Sequence, residues 1–238
     1  MTRRLPGLAR LGPALLAMSL PAPALAQAYQ CSLPDRIQYP APPRPDGPVR
    51  RTPVSHYLLA VSWSPEFCRS GRDDENMQCS GRNGRFGFVL HGLWPESGRS
   101  YPQWCALTPR PSARLLRQNL CMTPSARLLE HEWAKHGSCM TRTPEAYFRT
   151  AAILWNSLRW PDADRLSRRK QLTAGDLRRE FVLANPDWKR DQVGLVVSRT
   201  GWLRELRLCY GRDFMPRACD RRSLGPPDSA ALQIWRGL

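Results

Sequence analysis

Residues 86–93, FGFVLHGL, decide the reading of the fold. The run is short and apolar, with a Gly-, Asp- and Arg-rich stretch (69–85) before it and a Pro-rich stretch after it. Runs of this length with such flanks form buried strands rather than helices. One histidine, His91, falls at its C-terminal end. Upstream, residues 56–63 (HYLLAVSW) form a similar run, ended by Ser64-Pro65. Downstream, 192–198 and 202–210 are strand-like and joined through Thr200-Gly201. Helical signals fill the middle. Residues 111–120 suggest a weak helix. A stronger one is expected to start with Thr123 as N-cap and Pro124 at the first helical position, and to stop at Gly137. Thr143-Pro144 repeats that start signal, with Tyr147, Ile153, Leu154 and Leu158 as an apolar face running to about Trp160. Thr173 with Asp176 resembles a capping box, for a helix ending before Asn185-Pro186. Strands at both ends with helices grouped between them predict an α+β fold in one domain.

The chain has 238 residues, with 36 Lys+Arg against 20 Asp+Glu. At 42% hydrophobic and 24% charged it excludes wholesale disorder, collagen and coiled coil. Arg3, Arg4 and Arg10 precede an uncharged run ending in Ala24-Leu25-Ala26, so residues 1–26 are expected to be a signal peptide. That run is too short and Pro-rich for an anchor. No later stretch reaches the roughly 18 apolar residues a membrane span needs. Residues 27–55, with seven prolines between 34 and 53, are expected to be an extended lead-in, and 56–238 the main domain. Removing three arginines with the leader leaves 33 basic and 20 acidic side chains, a net +13. Such charge favours a polyanionic partner. Thirty-three Arg against three Lys also has the look of compositional bias.

All eight cysteines follow the leader: Cys31, Cys68, Cys79, Cys105, Cys121, Cys139, Cys209 and Cys219. An even count behind an export signal predicts disulfides in an oxidising compartment, a bacterial periplasm or the cell exterior. No CxxC pair occurs, which argues against structural zinc. Spacing alone does not choose among the pairings.

The histidines are His56, His91, His131 and His136. Three lie in two dense blocks, 88–96 (FVLHGLWPE) and 131–139 (HEWAKHGSC). On a helix, Glu132 would sit beside His136, and His131 beside Lys135, each pair four residues apart. Trp133 and Leu129 would face the core. His131 and His136 are five apart, about 140° around a regular helix, so they do not share one metal ion. The paired cysteines and the missing Gly-x-Ser-x-Gly elbow argue against a thiol or serine nucleophile. The set that remains is two imidazoles, a carboxylate and an ammonium. Phosphodiester transesterification needs this set. One imidazole takes the ribose 2′-hydroxyl proton, the other protonates the leaving 5′-oxygen, and a cation holds the phosphorane. Both imidazoles are expected to work near their ordinary pKa of about 6.5, giving a bell-shaped, mildly acidic optimum.

The two blocks closely resemble those of the ribonuclease T2 family of secreted acid endoribonucleases, which carry His-Gly-Leu-Trp-Pro and His-Glu-Trp-x-Lys-His-Gly-(Thr/Ser)-Cys. Residues 62–68 (SWSPEFC) and 205–210 (ELRLCY), with Phe214 and Cys219, resemble it more weakly. The resemblance implies a central antiparallel sheet packed with helices and no metal or other cofactor. It implies RNA as substrate, cut with low base specificity through a 2′,3′-cyclic phosphate. By match, His91, Glu132 and His136 are catalytic, with His136 the first-step base and His91 the acid. His131 and Lys135 would bind phosphate. Trp94, Glu96 and Tyr101 would form a base pocket, Trp94 by stacking. The family also implies Cys105–Cys139 and Cys209–Cys219; Cys68–Cys79 is assigned by proximity, leaving Cys31–Cys121. His56 matches no family site. A monomer, with a protein inhibitor as a possible partner, is expected. The alternative is an exported RNA- or polyanion-binding protein without catalysis.

Overall fold

The computed structural model describes residues 28–29, 31–69, 76–98 and 100–237. The expected signal peptide, 1–26, lies outside the described residues. Among the described residues, six strands are β1 (Ala28–Tyr29), β2 (His56–Trp63), β3 (Arg85–Phe86), β4 (Phe88–Glu96), β5 (Val193–Val197) and β6 (Leu203–Tyr210). The same residues form seven α-helices, α1 (Ser64–Arg69), α2 (Ala113–Gln118), α3 (Ala126–Lys135), α4 (Pro144–Asn156), α5 (Ala163–Ser167), α6 (Ala174–Ala184) and α7 (Arg221–Leu224).

Four strands form one sheet in the order β4-β2-β6-β5, every neighbour antiparallel. β1 and β3 make a separate short pair. β2 and β6 lie at the centre of the four-stranded sheet and β4 and β5 at its edges, and all four strands feed the core. Leu59, Val61, Leu93, Leu206 and Leu208 join Leu129 and Trp133 of α3, Tyr147 and Phe148 of α4, and Leu177 and Phe181 of α6 in one core. Burying such a set is the main stabilising term.

Local signals set the helix starts, with two corrections. α3 begins two residues later than its Thr-Pro signal suggests. Its N-cap is Ser125, whose hydroxyl accepts from the Leu128 N–H. Thr123 is diverted: its buried hydroxyl donates to Leu90 O in β4. α4 ends at Asn156, short of Trp160, and Ile153 lies on its exposed side, at 62%. Thr143 caps α4, and the Thr173–Asp176 capping box opens α6.

Four disulfides close the molecule: Cys31–Cys121, Cys68–Cys79, Cys105–Cys139 and Cys209–Cys219. Residues 31–55 lie against the main body as a strap. Besides Cys31–Cys121, the strap receives Arg117 Nε on Pro34 O (2.6 Å) and Arg110 Nη2 on Pro40 O (2.7 Å), and Tyr39 donates to Pro111 O (2.8 Å).

Candidate active site

β4 carries His91 on a bulge. Ala60 of β2 pairs with Gly92, but Val61 pairs with Leu90, so His91 is the extra residue. A bulge bends the strand and re-aims the side chain it carries. His91 thereby reaches two carboxylates. Its Nδ1 donates to Glu205 Oε2 on β6 (2.9 Å), and its Nε2 lies 3.6 Å from Glu132 Oε1 on α3. The imidazole remains 33% exposed, whereas the Glu132 side chain behind it is 4% exposed.

The second block divides between α3 and the turn after it. His131, Glu132 and Lys135 belong to the helix, and His136 is its C-cap, at φ −112° and ψ −50°. The expected Glu132–His136 side-chain pair does not form. Glu132 instead accepts from Trp94 Nε1 (2.7 Å) and faces His91. His136 is the cap, only half inside the helix, and the Glu132 carboxylate is engaged by Trp94 and His91, so spacing along the helix does not bring the two side chains together. His136 is oriented by packing. Its ring stacks on Trp94 (centroids 5.4 Å, 30°) and tilts against Tyr101 (6.1 Å). Gly137, in a short 3-10 turn, lets this segment close on the core, because a Cβ there would stand 2.7 Å from both Trp133 and Tyr147.

Lys135 does not point freely into the cleft. Its Nζ donates to Asp46 Oδ2 of the strap at 2.6 Å. Asp46 also accepts from Trp104 Nε1 (3.1 Å), and Trp104 meets His131 edge-on at 5.3 Å. Thus the strap supplies a carboxylate to the phosphate-binding pair expected from the sequence.

These groups line one cleft of about 360 Å³. Its lining includes His91, His131, Glu132, Lys135 and His136 together with Glu96, Tyr101, Asp220 and Arg222. Trp94 is not a free stacking platform. Its ring lies between His91 (5.1 Å, edge-on) and His136, with its N–H spent on Glu132. His56 is buried and bonds Ser55 Oγ through Nδ1 (2.8 Å), with Nε2 4.0 Å from Asp220.

The cleft drives the two central imidazoles apart in proton affinity, contrary to the expectation that both stay near their ordinary value. Burial opposes a charge on His91, but the Glu205 hydrogen bond and the charges of Glu132 and Glu205 outweigh it and raise its pKa. His136 is held well below the ordinary value, first by burial and then by the positive charges of Lys135, His131 and His91. Burial, then Lys135, also lowers His131. Burial pushes Glu132 up to about 7, against the pull of His91 and the Trp94 hydrogen bond. Burial and neighbouring Asp220 push Glu96 up to about 7.

Residues 54–163 match the family model described as the Ribonuclease T2 family. The chain carries a ribonuclease T2 family domain. A probable ribonuclease of Haemophilus influenzae is 33% identical over 190 residues, covering 74% of this chain and 65% of that protein. Ribonuclease I of Escherichia coli is 29% identical over 147 residues, covering 45% of this chain and 55% of that protein. The chain therefore spans under two thirds of the length of these relatives. Trichomaglin, described as an S-like ribonuclease, has the same fold: TM-score 0.59 at 21% identity, over 76% of this chain and 98% of that one. Both histidine blocks fall inside the T2 match, whereas the strap with Asp46 and the Glu205 strand lie outside it. Sequence reasoning assigned no role to Glu205, Asp46 or Asp220. Glu205 had a visible signal, an acidic residue inside the apolar run of β6 (LRELRLCY). Asp46, in an exposed Pro-rich stretch, had none.

Proposed function

We propose that this chain is an endoribonuclease that cuts single-stranded RNA by transesterification, with low base specificity. The observation that carries the reading is one cleft holding two imidazoles with opposite proton affinities. His91 hangs on the Glu205 carboxylate and keeps its proton. His136, buried among cations, stays neutral. In the first step His136 takes the proton of the ribose 2′-hydroxyl, whose oxygen attacks phosphorus. His91 gives its proton to the leaving 5′-oxygen, and a 2′,3′-cyclic phosphate forms. In the second step the roles reverse: neutral His91 activates water and protonated His136 returns its proton to the 2′-oxygen. His131 and Lys135 stand where they would hold the phosphorane's negative charge, with Asp46 setting the Lys135 ammonium. Glu132 orients His91 and Trp94 from behind. Glu96 and Tyr101, joined by Asp220, would form the base pocket, with Trp94 fixing the two imidazoles beside it. DNA lacks the nucleophile.

The acid and the base of the proposed reaction are side chains, so the proposal calls for no cofactor. Among the described residues, no three His, Cys, Asp or Glu side chains are grouped to hold a metal ion, and no helix is long and apolar enough to cross a membrane. Four disulfides in the described residues suit an oxidising compartment, so we place the protein in the periplasm or outside the cell.

The test is incubation of the oxidised protein with RNA and matched DNA in excess chelator, beside His91→Ala and His136→Ala. Cyclic-phosphate ends from RNA alone, lost in both variants, are expected. RNA bound but uncut would leave a binding protein, and cleavage abolished by the chelator would overturn the mechanism.

A further inference from the structure

A second groove, of about 820 Å³, lies between residues 34–44 of the strap and the opening of α3. Arg36, Tyr39, Arg44, Arg127 and His131 line it. His131 also lines the catalytic cleft, so the two cavities meet at one imidazole. The Arg127 charge is felt there too, contributing to the lowered His131 pKa after burial and Lys135. The groove is a built feature. Its outer wall is held by Cys31–Cys121 and by the three strap hydrogen bonds from Arg117, Arg110 and Tyr39. Prolines stiffen that wall, so little chain entropy is lost when a ligand is seated.

The three groove arginines are exposed. Among the described residues none of them enters an ion pair, so what sets them apart from other exposed arginines is that all three line one groove. Unpaired guanidinium groups facing one concave surface repel each other, and a polyanion relieves that repulsion. Tyr39 offers no free stacking platform, because its hydroxyl is spent on Pro111 and Arg110 lies 4.6 Å over its ring. The groove therefore suits phosphates rather than bases.

We propose that this groove is an auxiliary RNA subsite, holding the sugar-phosphate backbone on one side of the scissile linkage by charge and without reading sequence. It rests on the ribonuclease reading above, and it gives the strap, which lies outside the T2 match, a part in substrate binding.

The test compares Arg36→Ala/Arg44→Ala with a charge-matched control, Arg149→Ala/Arg204→Ala, on exposed arginines that line neither cavity. Each is assayed on a dinucleotide and on a ten-nucleotide RNA with one cleavable linkage, over a range of salt. With the groove pair removed, KM for the longer RNA should rise about tenfold at low salt with kcat unchanged. The slope of log KM against log salt should become shallower by about 1.4, the loss of two phosphate contacts. The dinucleotide and the control variant should hold their values within about twofold, the scatter expected of surface substitutions. An unchanged KM for the longer RNA would overturn the proposal and leave the groove to some other acidic partner. An equal rise in the control, or an equal loss on the dinucleotide, would also overturn it. If the wild type cuts neither RNA, the ribonuclease reading has failed separately. Binding of the uncut longer RNA, followed by fluorescence anisotropy, then tests the groove through the same pair of variants.

Discussion

Gly92 leaves the space in which the carboxylate of Glu132 and the indole of Trp94 meet. A Cβ at this position would overlap Glu132 Oε2 and stand 2.6 Å from Trp94 Nε1. Gly92→Ala should therefore push Glu132 off His91 while leaving every catalytic group in the chain. The expected loss is about 100-fold in kcat/KM, the scale on which small misplacements act, measured on a dinucleotide. Glu205 works on the other nitrogen of the same ring. In Glu205→Gln, His91 loses a charge-assisted hydrogen bond and a negative neighbour, so its pKa falls. The proposed mechanism requires His91 protonated and His136 neutral. The rising limb of the pH profile therefore lies well below 6.5 and the falling limb above it. The falling limb should move to lower pH in Glu205→Gln while the rising limb stays. A profile displaced as a whole would assign the limbs to other groups. At this scale the sequence made the histidines legible, because two of four lie within six residues and a third in a compact block. It did not show which carboxylate serves which imidazole, because Glu132 lies next to His136 in spacing and next to His91 in space.

α3 shows what a local signal settles and what it leaves open. A Thr-Pro pair before an apolar stretch starts a helix as well as a Ser does, so the N-cap at Ser125 was not legible. The choice fell to Leu90 O, which needed a donor and took the Thr123 hydroxyl. Ser125→Ala should accordingly cost about 1 kcal/mol, the usual loss for an N-cap hydroxyl, read from urea unfolding. The bulge in β4 was equally hidden. A strand buried on both faces reads as a continuous apolar run, and such a run carries no phase from which an extra residue could be counted. The N-caps of α4 and α6 were legible because their side chains bond their own helix and nothing else competes for them.

Taken whole, the molecule is tied front to back by its strap. Cys31–Cys121 spans 90 residues and Cys209–Cys219 only 10. In the loop-entropy picture the first contributes about 4.5 kcal/mol and the second about 3 kcal/mol. Cys31→Ser/Cys121→Ser should thus lower the urea midpoint more than Cys209→Ser/Cys219→Ser. Its effect on kcat/KM should be larger for long RNA than for a dinucleotide, since it frees the groove wall. Equal midpoints would mean that the strap's hydrogen bonds, and not the disulfide, hold it in place.

By itself the sequence determined the four strands of the main sheet, helices α2, α3, α4 and α6, the α+β class and the two histidine blocks, because each is written in neighbours a few residues apart. It also marked the eight cysteines for pairing. Only the tertiary structure decided that Glu205 bonds His91, from 114 residues away, and that Asp46 holds Lys135 across 89. The division of proton affinity between the two imidazoles was settled at the same level. A pKa depends on burial and on charges within a few ångströms, and distance along the chain does not report distance in space.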